Sequence, residues 1–149
     1  MWIKCDDYEW DRKPLLGYTN EADPKVMEFQ IEEAPRHGVN VFIYDWYWYD
    51  RRPFLEQCLD EGFLGASNNE KMKFYIMWAN HDANYTWDRR SAGKVNETIW
   101  RGDVTIEQFY KIGRRWIDQY FKCENYYKID NKPVISIYAL KNFVKGFGS

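Results

Sequence analysis

The chain has 149 residues, a length typical of one domain with its own hydrophobic core. Its 21 basic and 23 acidic residues give a formal charge of −2, so no electrostatic footprint for nucleic acid or an anionic membrane is visible, and polyanion binding is only a minor hypothesis. The mean hydropathy is −0.73, and the apolar runs are too short to span a bilayer. The unusual feature is an aromatic share of 19%, which calls for a functional explanation.

The cysteines and the amino terminus bear on the cellular compartment. Cys5, Cys58 and Cys123 are odd in number and far apart, which fits neither a disulfide framework nor a Cys-x-x-Cys metal site. We therefore expect free thiols in a reducing compartment. The first residues carry no basic region followed by an apolar stretch, so the default expectation is a cytoplasmic protein, unless a signal has been removed.

The first half of the chain predicts strand, helix, strand, helix. Residues 15–18 form a short apolar run that predicts a strand. Asp23 and Pro24 form an N-cap with proline at the first helical position, and Pro35 should end or kink that helix. Residues 39–44 are β-branched and aromatic on both faces, which is typical of a parallel strand covered on both sides.

The second half continues this alternation. The predicted elements are a helix over 53–62, a strand over 73–78, a long loop over 81–103 and a helix over 105–121. A short strand over 126–129, a turn over 130–132, a fourth core strand over 133–138 and a helix starting at Leu140 follow. This order predicts an α/β fold with right-handed crossovers, either an open sheet or a (β/α)8 barrel. A barrel needs about 250 residues, so four β/α units over 1–149 amount to about half of one, with no internal domain boundary.

Chemistry-bearing side chains follow two of the predicted strands. Asp45 ends an apolar row and shares a strand face with Tyr47, and the next strand runs into Trp78-Ala79-Asn80-His81-Asp82. Because the carboxyl ends of parallel strands meet at one edge, we expect these groups around one opening. Sugars need such a surface, since their ring faces stack on aromatic rings and their hydroxyls bind carboxylates and amides.

Other chemistries lack their motifs. The sequence has no zinc-ligand spacing, no Gly-x-Ser-x-Gly elbow and no glycine-rich phosphate loop, so we expect neither a metal nor a cofactor.

Several segments together are similar to one family. They are Gly17-Tyr18, Asp23-Pro24, Gln30-Ile31, His37-Gly38, Phe42-x-Tyr44-Asp45-Trp46-Tyr47-Trp48-Tyr49, Trp78-Ala79-Asn80, Trp87-Asp88 and Tyr127-x-Ile129-Asp130-x-Lys132-Pro133-Val134. In this order they resemble the WbsX-like proteins related to glycoside hydrolase family 99. His81 departs from that pattern, because relatives often have Glu after Trp-Ala-Asn.

The resemblance implies a TIM barrel acting on oligosaccharide or polysaccharide. Family 99 enzymes cleave internal α-mannosidic bonds with retention, using carboxylates in a late Trp-Asn-Glu-Trp-x-Glu segment that this chain lacks. The resemblance therefore implies the N-terminal half of a barrel, which supplies substrate contacts while the catalytic pair belongs to a missing C-terminal half.

The hypothesis is a carbohydrate-active protein, part of a glycoside hydrolase, whose cleft residues lie at strand ends or in the loops beside them. The candidates are Tyr18, Asp45, Trp46, Trp48, Trp78, Asn80, His81, Asp82 and Trp87. The three strand tryptophans fit core positions equally well, and His81 fits a structural loop histidine. Two alternatives are an α/β domain that only binds carbohydrate and a glycosyltransferase, although no Asp-x-Asp motif supports the latter.

Overall fold

The computed structural model describes residues 14–85 and 97–148. The helices are α1 (Pro24–Arg36), α2 (Ile106–Trp116) and α3 (Leu140–Gly146). The strands are β1 (Val41–Tyr49), β2 (Arg52–Phe54), β3 (Lys73–Trp78), β4 (Ala83–Asn84), β5 (Thr98–Trp100), β6 (Lys128–Ile129), β7 (Lys132–Pro133) and β8 (Ile135–Ile137). Two π-helical segments, Cys58–Phe63 and Ile117–Phe121, and a 3-10 turn, Asn69–Lys71, complete the regular structure of this part.

The main sheet has the strand order β2-β1-β3-β8. β1, β3 and β8 are parallel, and their register aligns Trp46 with Trp78 and Trp78 with Ile137. β2 pairs antiparallel with the end of β1. Two small antiparallel pairs, β4-β5 and β6-β7, lie outside this sheet. The fold is therefore mixed α/β with a sheet of parallel strands, as the alternation predicted.

The sequence signals for α1 and α2 are confirmed. Asp23 accepts a hydrogen bond from the Lys25 backbone N–H at 2.9 Å, and α1 ends one residue after Pro35. Thr105 caps α2 by accepting from the Gln108 backbone N–H at 3.3 Å, and the helical path continues to Phe121. The predicted start of a helix at Leu140 is also confirmed.

The strand predicted over 15–18 is wrong. The chain turns there, with the Gly17 N–H donating to Pro14 O at 2.9 Å and a Gly17 φ of 74°. Leu15 is fully exposed, so the apolar run packs against no sheet. A glycine in the left-handed region turns the chain where an extended strand was expected. The main sheet consequently has three parallel strands in its described part instead of the four predicted.

The helix predicted to begin at Pro53 is also wrong at its start. β1 extends beyond the predicted residue 44 to Tyr49, turns through Asp50 and Arg51, and returns as β2. Both turn residues have positive φ, which a two-residue hairpin of this twist requires. Helical structure begins only at Cys58, because the aromatic run favours strand pairing over a helix.

The remaining predicted elements need smaller corrections. The long loop over 81–103 contains the β4-β5 pair. The last strand is shorter than predicted, and its start at Pro133 instead pairs Lys128 as part of β7.

The helices cover one face of the main sheet. Side chains from β1 and β3 pack there with α1 and α2, and Trp46 and Trp78 both contact Trp116, with ring centroids 5.3 and 5.8 Å apart. On the opposite face Ile43 is 55% exposed, so the predicted cover on both sides is wrong. Within the described residues no helix is long and apolar enough to cross a membrane.

Candidate functional site

The sheet face that the helices leave uncovered is called the open face. It is formed by alternate side chains of the three parallel strands: Ile43, Asp45 and Tyr47 of β1, Tyr75 and Met77 of β3, and Ser136 of β8. The register aligns Asp45 with Met77 and Met77 with Ser136. Asp45 is exposed, so a carboxylate stands on this face, close to the carboxyl ends of the strands.

Tyr47 is the polar neighbour of Asp45 on this face. Burial raises the pKa of the Tyr47 hydroxyl, and the charge of Asp45 and the hydrogen bond between the two side chains raise it further. The hydroxyl therefore stays protonated near neutral pH and donates to the carboxylate. A hydroxyl donor beside Asp45 uses one acceptor position of the carboxylate, and its other lone pairs can accept from a ligand.

An aromatic wall borders the open face at the strand ends. Its members are the rings of Tyr47, Tyr49, Phe54, His81, Trp100 and Tyr138. Tyr49 and Trp100 stack with centroids 5.7 Å apart and planes 23° apart, and Phe54 meets Trp100 edge-on at 5.4 Å. His81 joins the two ends of the wall, because its ring lies 6.1 Å from Tyr47 and 5.3 Å from Tyr138.

The Tyr49 hydroxyl connects β1 to the loop after β3. It donates to His81 O at 2.8 Å, and burial raises the pKa of this hydroxyl well above its usual value. His81 itself makes a contact of 3.1 Å between Nδ1 and Asp82 O. The imidazole is thus set by its own loop and by rings on both sides.

Asn80 fixes the loops that carry His81 and Tyr138. Its side chain is 1% exposed, donates through Nδ2 to Ala139 O at 2.9 Å, and accepts at Oδ1 from the Ala139 N–H at 2.7 Å. The amide thus pairs with a backbone unit as a neighbouring strand would. Asn142 donates to Asn80 O at 2.9 Å, which ties α3 to the same loop.

Asp82 has a structural partner in the same region. One of its oxygens accepts from the Gly102 N–H at 2.8 Å. A Cβ on Gly102 would lie 2.2 Å from Asn80 O, so only glycine allows the loop after β5 to approach this closely. Asp82 and Gly102 together hold the β4-β5 pair, and with it Trp100, beside the strand ends.

The three strand tryptophans predicted to contact sugar lie in the core instead. Trp46 and Trp78 are 1% exposed and Trp48 is 8% exposed, on the face that packs against the helices. The reason is the alternation of side chains along a strand, which sends even-numbered residues of β1 away from Asp45. We therefore correct their assignment from sugar contacts to core residues, and Asn80, equally buried, to a structural role.

The other predicted residues divide between two places. Asp45 lies on the open face near the end of β1, and His81 and Asp82 lie in the loop after β3, where the His81 ring meets that of Tyr47. Tyr18 is 67% exposed in the segment that precedes α1. Trp87 lies outside the described residues.

Sequence reasoning missed four members of the wall. The same alternation that placed Tyr47 beside Asp45 also places Tyr49 on this side, so that signal was present. The others are Phe54, Trp100 and Tyr138. They reach the wall through a hairpin, the β4-β5 pair and the end of β8, and no local pattern of residues predicts those pairings.

A second polar cluster lies on the helical side of the sheet. Arg115 donates to the carboxylate of Glu56, and the Tyr120 hydroxyl donates to Asp60 Oδ1 at 2.8 Å. Burial raises the pKa of Asp60. These bonds tie the chain around Glu56 and Asp60 to α2 and its continuation. Among the described residues no group of three or more His, Cys, Asp or Glu side chains is arranged to hold a metal ion.

Fold and site together define an α/β protein with a carboxylate and an aromatic wall at the ends of parallel strands. The chain belongs to the family described as Glycosyltransferase WbsX, whose model matches residues 7–146. This membership makes it a carbohydrate-active protein with sugar substrates, and it agrees with the resemblance found in the sequence. Neither the search of curated proteins nor the search of solved structures found a match.

Proposed function

We propose that the open face and the aromatic wall bind an oligosaccharide or polysaccharide. The observation that carries this proposal is the exposed carboxylate of Asp45 on a sheet face bordered by aromatic rings. A carboxylate accepts two hydroxyl hydrogen bonds at once, and aromatic rings stack on the C–H faces of a sugar ring.

The polar groups of this site contribute to sugar binding in different ways. Asp45 accepts hydrogen bonds from adjacent hydroxyls of one sugar residue, and Tyr47 holds the carboxylate in place. His81 and Tyr138, whose ring centroids are 5.3 Å apart, supply an adjoining surface for the same or the next sugar. Asp82 supports His81 indirectly, since its carboxylate already accepts from Gly102.

The sheet is the first part of a (β/α)8 barrel in this proposal, and residues 1–149 are its N-terminal half. Three features of the described residues support it: parallel strands, helices on one face only, and β8 as the last strand of the sheet with an open edge. The open face then becomes part of the barrel interior. Ligands of such barrels bind at the carboxyl ends of the strands, where Asp45 and the wall lie.

The reaction we favour is glycoside hydrolysis. Retaining hydrolysis uses two carboxylates about 5 Å apart, one as acid and base and one as nucleophile. We assign no catalytic role to Asp45, because we expect the catalytic carboxylates on later strands of the proposed barrel. This chain contributes substrate binding.

Glycosyl transfer is the second candidate, and the family description favours it. The two reactions separate in one assay on the whole protein. Hydrolysis releases new reducing ends from a polysaccharide without a donor, whereas transfer extends an acceptor only when an activated sugar is supplied. A protein that binds glycan and does neither is a carbohydrate-binding domain.

Calorimetric titration with a panel of neutral oligosaccharides tests the binding proposal. We expect Asp45→Asn to weaken binding of the best ligand by about tenfold, because the loss of a charge-assisted hydrogen bond amounts to about 1.4 kcal/mol or more. Asp118→Asn is the matched control, since Asp118 is also a surface carboxylate but pairs with Lys122 on the helical side. Equal affinities for the wild type and Asp45→Asn would reject the site.

A further inference from the structure

Trp100 offers the outermost ring of the aromatic wall. The Tyr49 ring beneath it is only 2% exposed, because Trp100 stacks on it at 5.7 Å. Trp100 itself is partly exposed. The exposed part of the ring is therefore an apolar surface at the end of β5, in the same aromatic wall as His81 and Tyr138.

Three exposed arginines are linked to this ring through the β1-β2 hairpin or along the chain. Arg52 is the cross-strand partner of Tyr49, so both side chains leave the same face of the hairpin. Arg51 precedes it in the turn, and Arg101 directly follows Trp100. Of the six arginines in residues 14–85 and 97–148, Arg36 and Arg115 form ion pairs with described residues.

Four arginines of the described residues therefore form no ion pair with another described residue. Arg101 directly follows Trp100, Arg51 and Arg52 belong to the hairpin whose Tyr49 stacks on Trp100, and the fourth, Arg114, lies on α2. Nearby acids are partly engaged elsewhere, because Asp82 accepts from Gly102 and Asp103 pairs with Lys145 at 3.1 Å. Asp50, in the same turn, offsets one of the three positive charges.

The backbone at Arg51 is a second, independent observation. Its φ is 60°, in the left-handed region, at the second central position of a two-residue hairpin turn. The β6-β7 hairpin has the same design, and there Asn131 occupies the equivalent position with a φ of 61°. Asparagine adopts this conformation more readily than arginine. An arginine in such a conformation is the kind of strained residue that gathers at functional sites.

We propose that Trp100 and the arginines Arg51, Arg52 and Arg101 form a subsite for an anionic sugar residue. The sugar ring stacks on Trp100, and its carboxylate or phosphate oxygens accept paired hydrogen bonds from guanidinium groups. The inference rests on the proposed function and adds a substrate class: a glycan that carries a negative charge near the unit bound at Asp45.

Titrations with three probes test the inference and identify the source of the charge. They are a neutral oligosaccharide, an oligosaccharide of equal length with one uronic acid, and the neutral oligosaccharide with one phosphate ester. In the wild type we expect at least one charged probe to bind about tenfold more tightly than the neutral probe at low salt. This preference should shrink as salt is raised.

Arginine variants locate the effect. Arg52→Gln and Arg101→Gln, alone and together, should remove the preference for the charged probe while binding of the neutral probe stays within about twofold. Arg114→Gln, the control, should keep the preference. Arg51→Asn should weaken binding of the charged probe without lowering the melting temperature, because asparagine suits the turn.

The outcomes separate this inference from the proposed function. Neutral binding that depends on Asp45, with no preference for either charged probe, rejects the anionic subsite alone. A preference that survives the double arginine variant rejects it as well. If no probe binds the wild type, both proposals fail.

Discussion

The two faces of β1 carry similar aromatic residues and use them differently. On the face toward the helices, Tyr44 lies 5.5 Å from Phe63 and Trp46 stacks on Trp48 at 5.9 Å, and both tryptophans are buried. On the open face, Tyr47 is only partly buried, stands beside the exposed Asp45, and contacts the ring of His81. One strand thus supplies core packing on one side and an exposed polar surface on the other.

This difference shows that an aromatic excess has no single meaning. Rings on the helical face contribute through burial and packing, so that removing them should unfold the protein. Rings on the open face have a polar neighbour and an exposed side, so that removing them should affect ligands. The face of the strand, and not the type of ring, decides the role.

The largest expected effect is on the helical face. Trp78→Ala removes a ring that contacts Trp116, Phe109 and Phe143, and we expect it to lower the free energy of unfolding by about 3–5 kcal/mol. Denaturant unfolding followed by circular dichroism measures this change. Tyr138→Ala is the comparison on the open side, where the ring is 64% exposed and the expected loss is below about 1 kcal/mol. Similar losses for both variants would abolish the distinction between the faces.

The next effect concerns the Asn80 side chain, whose hydrogen bonds to Ala139 join the ends of β3 and β8. Asn80→Ala leaves the N–H and C=O of Ala139 without their side-chain partners, and we expect a loss of about 2–4 kcal/mol in unfolding free energy. In the folded fraction the contact between His81 and Tyr138 should also loosen, which nuclear Overhauser effects between the two rings would report. A variant with wild-type stability and an unchanged ring contact would show that the hydrogen bonds between Asn80 and Ala139 are dispensable.

Removing a tyrosine hydroxyl from each face of β1 compares the two faces within one strand. Tyr47→Phe removes the bond to Asp45 and should weaken glycan binding by about fivefold, equivalent to about 1 kcal/mol, with little change in stability. Tyr44→Phe removes a buried hydroxyl that has no hydrogen-bond partner among the described residues, so stability should stay equal or rise and binding should not change. Calorimetry and denaturant unfolding of both variants make the test. An effect on binding from Tyr44→Phe alone would reverse the assignment of the faces.

The smallest effect is a pH dependence from the cluster on the helical side. Burial raises the pKa of Asp60 in the folded protein above its usual 3.8, so that the folded state holds this proton more tightly than the unfolded state. Stability should therefore fall as pH rises from 3.8 through the raised pKa, and then stay level. Asp60→Asn should remove this part of the slope in unfolding free energy, while the Asp45-dependent glycan binding is retained. Identical slopes for both proteins would argue against the raised pKa.

Much of the fold could be predicted because its signals are local. The caps at Asp23 and Thr105, the break at Pro35 and the apolar run 73–78 each determine structure within a few residues. The errors arose where distant partners decide. Residues 15–18 are apolar enough for a strand but pair with no neighbour. Pro53 looked like a helix start, although pairing with Trp48 places it in β2.

The site was predictable to a smaller extent. The placement of Asp45 at the end of β1 and of His81 after β3 was predictable, because parallel strands bring their carboxyl ends to one edge, a property of topology. The tryptophans were misassigned because residue type was weighed above the alternation of faces, which already separated Trp46 from Asp45. Trp100 and Tyr138 depend on how loops fold back, and no local signal encodes that.

The measurement that tests the central claim most directly is a nuclear magnetic resonance titration of the labelled protein with its best oligosaccharide. If the open face binds the glycan, the side-chain signals of Tyr47, His81 and Tyr138 shift in proportion to occupancy. The indole signals of Trp46, Trp78 and Trp116 then stay in place. Shifts confined to the buried indoles or to α1 and α2, with the open face unchanged, would contradict the account.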